Sequence, residues 1–471
     1  MKLPAKQRKG NNNMKKKLVW ALLAALAVTL SAGCARMASV DERIENMESA
    51  GQMAPNTADD AETENQLDED RFIMSLDDIE NNTGGPGKDT GEDIVIEYND
   101  QEIQDGYVDY TVALLRESVT EKENSMISPL SVMMALNMAS SGSEGRTRTQ
   151  LNNLICPGIT QQQLETYCVD LLDRYNSGED VQLHIANSVW INDQYTEDIK
   201  PDYIERADQI FNALVTSIPF DPDAAGVIND WVDENTDGMI TKLFDNVDSN
   251  VIMYLVNAIA VEAPWAKPYE DSQVKDGTFT NAAGRKENVD MMYSTETYYF
   301  ESGDAVGFLK PYEGYEYGFL AILPDADVTV EEYLQNMTGD SYREFYNSVS
   351  RDYDVYTAMP KFSFDYTVTL NDALQNLGVV DAFDPEAADF TGIAELDNRN
   401  LFINMVLHKT YIEVGQYETR AAAVTGVAVA TASMPIPRDI KEVYLDRPFI
   451  YAIVEIESGT PIFIGTLQSA D

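Results

Sequence analysis

Side chains that could catalyse a reaction are few in this chain. It has two histidines, His184 and His408, and His184 lies in an apolar segment, as core residues usually do. The sequence has no Gly-x-Ser-x-Gly motif, which presents a nucleophilic serine in many hydrolases. Cys156 and Cys168 could form one disulfide, but no C-x-x-C spacing or histidine-rich metal motif occurs. We therefore expect neither an enzyme nor a metal or other cofactor.

The segment 419–431 combines small size with strand-forming residues in an otherwise acidic chain. Read with a period of two, one face has only small or β-branched side chains, those of Thr419, Ala421, Ala423, Thr425, Val427, Val429 and Thr431. The one charge, Arg420, lies on the other face. Such a segment can lie exposed as a loop, yet it has the composition of a buried central strand. It is therefore a candidate for a segment that changes state.

The composition allows a large core and disfavours polyanionic partners. The chain has 471 residues, of which 44% are hydrophobic, enough for one or two domains. It carries 33 Lys and Arg against 80 Asp and Glu, a net charge of −47. Such a surface repels nucleic acid and anionic lipid, and no basic patch that could bind heparin is visible.

Residues 1–33 resemble a bacterial lipoprotein signal. Three consecutive lysines precede the apolar segment 18–30, which is too short to span a bilayer, and Leu-Ser-Ala-Gly-Cys ends at Cys34. Lipidation of Cys34 would anchor the mature chain at the cell surface, outside the cytoplasm. The alternative is ordinary secretion, with cleavage after Ala32 or Gly33.

The remaining chain divides into two parts. Residues 34–93 are acidic and rich in Asn, Gly and Thr, which predicts a disordered tether, and 94–471 read as one globular domain. Helices are predicted at 107–119, 129–139 and 227–236, and strands at 183–191, 251–261, 319–323, 355–360, 402–414 and 449–456. Ser128 and Pro129 form a helix start. Helices crowd the first half and strands the second, which indicates an α+β fold.

An ordered set of motifs runs through the globular part, beginning with Asn-Ser-Met-Ile-Ser-Pro-Leu-Ser at 124–131. The others lie at 186–187, 229–232, 255–258, 359–362, 377–378, 388–393, 407–414, 447–449 and 461–465. Together they resemble the serpin family over roughly 375 residues, a far more specific signal than one motif. The resemblance implies about nine helices, three β-sheets and an exposed reactive centre loop.

The resemblance also implies a mechanism in which the loop is bait for a serine protease. The protease forms a covalent acyl-enzyme with the cleaved loop. The freed loop end then inserts as a new strand in the central sheet and distorts the protease before deacylation, a behaviour that the family is known for. The chain is expected to act as a monomer whose partner is the protease. A substrate-like, chaperone-like or otherwise non-inhibitory serpin that binds a partner is the alternative.

Two groups of residues take roles from the resemblance. The hinge that enters the sheet first comprises Glu418, Thr419, Arg420, Ala421, Ala422, Ala423, Val424 and Thr425. Glu418 stands where serpins usually have Gly, on the face expected to meet solvent, from which it could slow insertion. A cluster at the sheet opening comprises Ser128, Ser131, Asn257, Trp265 and His408. Each of the four polar members could instead be a satisfied core polar group. The resemblance places Trp265 where the loop first enters the sheet, and Trp265 fits core packing better than ligand contact.

The resemblance implies a cleaved bond near Ala432–Ser433, counted from the hinge with the spacing usual in serpins, with 431–432 and 433–434 as alternatives. The preceding side chains are small and uncharged, and no Lys, Arg or aromatic residue lies between Thr425 and Pro437. A shallow specificity pocket suits such residues, so an elastase-like or a subtilisin-like protease is expected. The alternative interpretation is that an Ala-rich loop reflects only the demands of insertion.

Overall fold

Nine α-helices lie within the part of the chain that the computed structural model describes, residues 100–119, 122–176, 181–396, 400–419 and 438–470. They are α1 Asp100–Ser118, α2 Pro129–Ser141, α3 Gly145–Ile155, α4 Gln161–Asn176, α5 Pro201–Phe211, α6 Ala224–Asn235, α7 Val330–Asn336, α8 Gly339–Asn347 and α9 Asn371–Asn376. Helix α2 begins as predicted, because the Ser128 hydroxyl accepts the Ser131 N–H at 3.2 Å and Pro129 occupies the first turn.

The described residues also form sixteen β-strands. They are β1 Ser125–Ile127, β2 Gln182–Asn192, β3 Leu214–Ile218, β4 Met253–Pro264, β5 Val274–Thr280, β6 Lys286–Glu296, β7 Tyr298–Ser302, β8 Ala305–Pro311, β9 Tyr317–Pro324, β10 Tyr353–Pro360, β11 Phe362–Thr369, β12 Leu407–Val414, β13 Glu418–Thr419, β14 Asp439–Tyr444, β15 Phe449–Glu455 and β16 Pro461–Leu467.

The strands form three sheets, which confirms the α+β class and the expected number of sheets. The central sheet has the order β11-β12-β13-β4-β2-β3, and a second six-stranded sheet has the order β1-β16-β15-β9-β8-β7. A four-stranded sheet has the order β14-β10-β6-β5. Strands β9 and β16 are buried along their whole length, as expected for near-continuous apolar strands inside a protein.

The central sheet is covered on both faces, and this positions the site described below. Strand β12 alternates half-buried and buried residues, and the buried apolar ones, Ile412 and Val414, belong to the main hydrophobic core. On the opposite face, Ile228 and Val232 of α6 share a separate apolar cluster with Tyr254 and Val256 of β4. A strand added beside β12 would therefore bury the side chains that face the main core, which favours small side chains on that face.

One predicted element starts later than expected. The predicted strand 402–414 begins only at Leu407. Asn371 holds the preceding segment away from the strand ladder, because its amide donates to the Asn404 carbonyl and accepts the Val406 N–H, each at 2.8 Å. Phe402 is exposed in this segment, so the strand predicted from its apolar character was wrong at residues 402–406.

The two cysteines do not pair. Cys156 and Cys168 are buried free thiols, and burial raises the pKa of Cys168 to about 12. Across the described residues, no helix combines the length and apolar character that a membrane span requires.

Candidate functional site: a slot in the central sheet

The short strand β13 lies between β12 and β4 at one end of the central sheet. Thr419 is opposite Val414 of β12 and Ala263 of β4, and both pairings are antiparallel. The Gly415 N–H donates to the Glu418 carbonyl at 3.0 Å and closes the turn that connects β12 to β13. The first two predicted hinge residues, Glu418 and Thr419, are therefore already part of the sheet.

The segment after β4 holds this turn in place through four hydrogen bonds, each 3.0 Å long. The Trp265 backbone N–H donates to the Tyr417 carbonyl, and the Trp265 indole N–H donates to the Gly415 carbonyl. The Tyr269 N–H donates to the Gln416 carbonyl, and the Gln416 amide donates back to the Tyr269 carbonyl. Both backbone and side-chain groups thus fix where the loop enters the sheet.

Thr419 faces the protein interior, in agreement with the period-two pattern. Thr419 is 1% exposed, whereas Glu418 is half-buried. The Thr419 hydroxyl lies 2.8 Å from the Tyr312 hydroxyl, and the Tyr312 ring stacks on Trp265 at 4.7 Å between centroids. Burial raises the pKa of Tyr312, so its hydroxyl stays protonated and can donate to Thr419.

At the other end of the slot a cavity is lined by residues of both β4 and β12. Its volume is about 360 Å³, and it is lined by the first residues of both strands, by α2 and by segments 248–252 and 400–406. Met253 and Leu255 of β4 and Leu407 of β12 contribute apolar walls. We call this space the lower cavity and the region around Thr419 the upper end.

Polar side chains gather at the border of the lower cavity. The Ser128 N–H donates to Nε2 of His408 at 3.0 Å, and the Ser128 hydroxyl donates to the Ile462 carbonyl at 2.9 Å. The Ser131 hydroxyl bonds to the Asn257 carbonyl oxygen. Burial lowers the pKa of His408 to about 4, so the imidazole is neutral at pH 7 and Nε2 is free to accept.

The network extends to one residue outside the predicted cluster. The Asn257 amide donates to Asn187 at 2.6 Å, and the Asn187 amide donates to the Phe211 carbonyl at 2.8 Å. The signal for Asn187 in the sequence is the motif at 186–187, which contains it. Tyr312, Tyr269 and Gln416 gave no comparable signal, because their role depends on contacts between distant segments.

The predicted residues form two groups in the structure. Ser131, Asn257 and His408 line the lower cavity, and Ser128 hydrogen-bonds to Ser131 and His408. Trp265 lies at the upper end against the hinge, where the loop was expected to enter the sheet. Trp265 is buried as core packing would require, and it also contacts the loop. The rest of the hinge, Arg420, Ala421, Ala422, Ala423, Val424 and Thr425, lies outside the described residues, as do Ala432, Ser433 and Cys34.

Comparison with known proteins decides the family. A family model described as "Serpin (serine protease inhibitor)" matches residues 105–469. This chain is a serpin. An uncharacterised serpin-like protein of Methanosarcina mazei is 30% identical over 364 residues, which cover 75% of this serpin and 83% of the relative. The leukocyte elastase inhibitor of Bos taurus is 30% identical over 368 residues, covering 74% and 93%.

A solved structure shows the same fold. The crystal structure of the thermophilic serpin tengpin in its native state matches with a TM-score of 0.73 and 36% sequence identity, and it covers 80% of this serpin and 96% of tengpin. Serpins typically inhibit serine proteases rather than catalyse a reaction of their own.

Proposed function

We propose that this serpin inhibits serine proteases by a suicide-substrate mechanism. The protease cleaves the exposed loop, forms an acyl-enzyme, and is trapped when the freed loop end inserts between β4 and β12. The observation that carries the proposal is the state of the slot. Its upper end already contains Glu418 and Thr419, and its lower end contains a cavity of about 360 Å³ between the same two strands.

The strand register predicts where each inserted residue would lie. Because both pairings are antiparallel, moving six residues on from Thr419 moves six residues back from Ala263 and from Val414. Thr425 would then lie between Asn257 and His408, beside the lower cavity. The inward residues on the way, Ala421 and Ala423, are small enough for the covered sheet.

The energy balance is compatible with insertion. About a dozen ladder hydrogen bonds would contribute roughly 0.5–1.5 kcal/mol each, and burial of Val427 and Val429 would add about 1.5–3 kcal/mol apiece. Ordering the backbone costs about 1–2 kcal/mol per residue. The uncut loop is tied at both ends, so it has already lost part of this backbone entropy. Insertion after cleavage can therefore be favourable.

The target is inferred from the loop sequence. We place the scissile bond near Ala432–Ser433, preceded by Val429, Ala430 and Thr431. Small uncharged residues fit a shallow specificity pocket, which points to elastase-like or subtilisin-like proteases. The similarity to a leukocyte elastase inhibitor agrees with this assignment.

The proposed location is inferred from the sequence of the first 93 residues. We propose that residues 1–33 direct export, that Cys34 carries the lipid, and that 34–93 hold the inhibitor away from the membrane. The membrane would then be contacted only through the lipid, and the protease would be met outside the cytoplasm. Metabolic labelling with a radioactive fatty acid, with Cys34→Ala as the control, tests this arrangement.

A denaturing gel tests the function directly. The serpin is mixed with an elastase or with a subtilisin, and a protease whose catalytic serine has been blocked is the control. We expect an SDS-resistant complex with the active protease and a short C-terminal peptide that begins at Ser433. Clean cleavage in the loop, with the protease still active, would contradict the proposal and favour a non-inhibitory serpin that binds a ligand or partner.

A further inference from the structure

A buried lysine lies beneath the segment that holds the hinge. Lys310, in β8, is 1% exposed, and its ammonium group lies 2.9 Å from the Glu296 carboxylate. The same ammonium group donates to the Lys267 carbonyl at 3.0 Å. Lys267 belongs to the segment 265–269, whose first and last residues hydrogen-bond to the hinge turn.

Aromatic rings complete the surroundings of this ammonium group. Nζ of Lys310 lies 4.3 Å from the centroid of the Tyr269 ring and 5.5 Å from that of Trp265. The faces of such rings attract a cation. The Ser294 hydroxyl donates to the same Glu296 oxygen at 2.6 Å, which fixes the carboxylate in turn. The ammonium group therefore has an anion, a carbonyl and a ring face as partners.

Stability alone is a poor explanation for this arrangement. Two buried charges lose their hydration, and replacing a buried ion pair with apolar residues of similar size is often neutral or stabilising. A specific geometry is a better reason to keep one. Here the bond from Lys310 to the Lys267 carbonyl connects the middle of segment 265–269 to β8. The Ala266 N–H connects the start of the segment to the same strand, because it donates to the Pro311 carbonyl at 3.1 Å.

We propose that Lys310 is a positioning residue for loop insertion, acting through segment 265–269. By holding the Lys267 carbonyl and the Tyr269 ring, it keeps the N–H groups of Trp265 and Tyr269 directed at the hinge turn. A cleaved loop then starts insertion from a fixed turn, before the acyl-enzyme is hydrolysed. The inference rests on the proposed inhibitory function.

The test variant is Lys310→Met, which keeps the length of the side chain and removes the charge and the donors. Two quantities are measured, the hydrogen-exchange rates of the Trp265 and Tyr269 amides, and the number of serpin molecules consumed per protease molecule trapped. We expect faster exchange at both amides and at least about fivefold more serpin consumed. The rate at which the loop is first cleaved should stay unchanged, because Lys310 does not contact the protease.

A matched control separates positioning from general stability. Arg206→Met breaks another ion pair with a buried carboxylate, that of Glu165, which joins α5 to α4 away from the hinge turn. Lys310→Arg, which keeps the charge and the donors, should show smaller increases in exchange rate and stoichiometry than Lys310→Met. If Lys310→Met does not fold, Glu296→Gln removes the counter-ion with little change in shape and should shift both quantities in the same direction.

The outcomes are distinguishable. Unchanged exchange and stoichiometry in Lys310→Met would overturn the inference, and so would an equal rise in stoichiometry in Arg206→Met. If the unaltered serpin traps no protease, the proposed function fails, but the exchange measurement still decides whether Lys310 holds the hinge turn.

Discussion

The two ends of the slot in the central sheet are built differently. The upper end is filled, because β13 pairs with both neighbouring strands and Thr419 is enclosed by Tyr312 and Trp265. The lower end is a cavity bordered by the hydrogen-bonded side chains of Ser131, Asn257 and His408. Backbone ladders and aromatic packing hold the first region, whereas the second depends on polar side chains.

This difference suggests an order of events. A new strand can extend the existing β13 one residue at a time from the upper end, without a separate nucleation step. It reaches the polar side chains only after six further residues, when Thr425 comes level with Asn257 and His408. The upper end should therefore control whether insertion begins, and the lower end should control how much stability the finished insertion gains.

The largest effect is expected from a charge at the upper end. Thr419 is already buried in the uncleaved serpin, so Thr419→Arg should first displace β13 from the sheet. Insertion would then have to bury the guanidinium beside Tyr312, at a desolvation cost of several kcal/mol. Because each ~1.4 kcal/mol is a factor of ten, trapping should fall by about a hundredfold or more and the variant should be cleaved as a substrate. The ratio of SDS-resistant complex to cleaved serpin on a gel measures this partition.

Glu418→Arg is the matched control for that substitution. It introduces the same charge one residue earlier, on the half-buried face. We expect it to retain most of its inhibition. Full inhibition by Thr419→Arg would contradict the inward facing of Thr419 during insertion.

The next effect concerns the finished insertion. Cleavage of the loop should raise the melting temperature by ~10 °C or more, because about a dozen ladder bonds at ~1 kcal/mol each are added to the sheet. Scanning calorimetry on intact and cleaved serpin measures the change. The cleaved Thr419→Arg variant should show little rise, and an unchanged melting temperature in the cleaved unaltered serpin would argue against strand addition.

Acid should weaken the lower end selectively. The pKa of buried His408 is lowered from 6.5 to about 4, so between these values the unfolded chain binds a proton that the folded chain does not. The contribution of His408 to stability is complete above pH 6.5 and is lost as the pH falls, by about 3 kcal/mol near pH 4. Urea unfolding at pH 7.5 and pH 5 measures the loss.

Other groups also titrate in this range. The loss of unfolding free energy in the unaltered serpin is therefore compared with the loss in His408→Gln. Glutamine can still accept the Ser128 N–H through its carbonyl oxygen, and it does not ionise. Its free energy of unfolding should decrease less between pH 7.5 and pH 5 than that of the unaltered serpin. Equal decreases would show that His408 is not the acid-sensitive group.

The two ends also differ in how far the sequence predicted them. The motifs that contain Ser128, Asn257 and His408 indicated the polar cluster, and the period-two pattern indicated which way Thr419 points. The resemblance also placed Trp265 where the loop first enters the sheet, and Trp265 hydrogen-bonds to the hinge turn there. The packing of Tyr269, Tyr312 and Lys310 around the hinge turn could not be predicted, because only the tertiary fold brings their segments together.

Glu418 gives the smallest expected effect and the most direct test of how sharply the upper end is tuned. Its backbone is opposite Pro264 and its side chain is half-buried, so insertion need not bury the carboxylate in the core. Glu418→Gly removes the side chain at the position where serpins usually have glycine, but it adds backbone freedom worth roughly 0.5–1 kcal/mol. We expect the stoichiometry of inhibition to fall by less than about threefold, a change below 1 kcal/mol. A larger fall would mean that the Glu418 side chain slows the first step of loop insertion, even though the upper end is already filled.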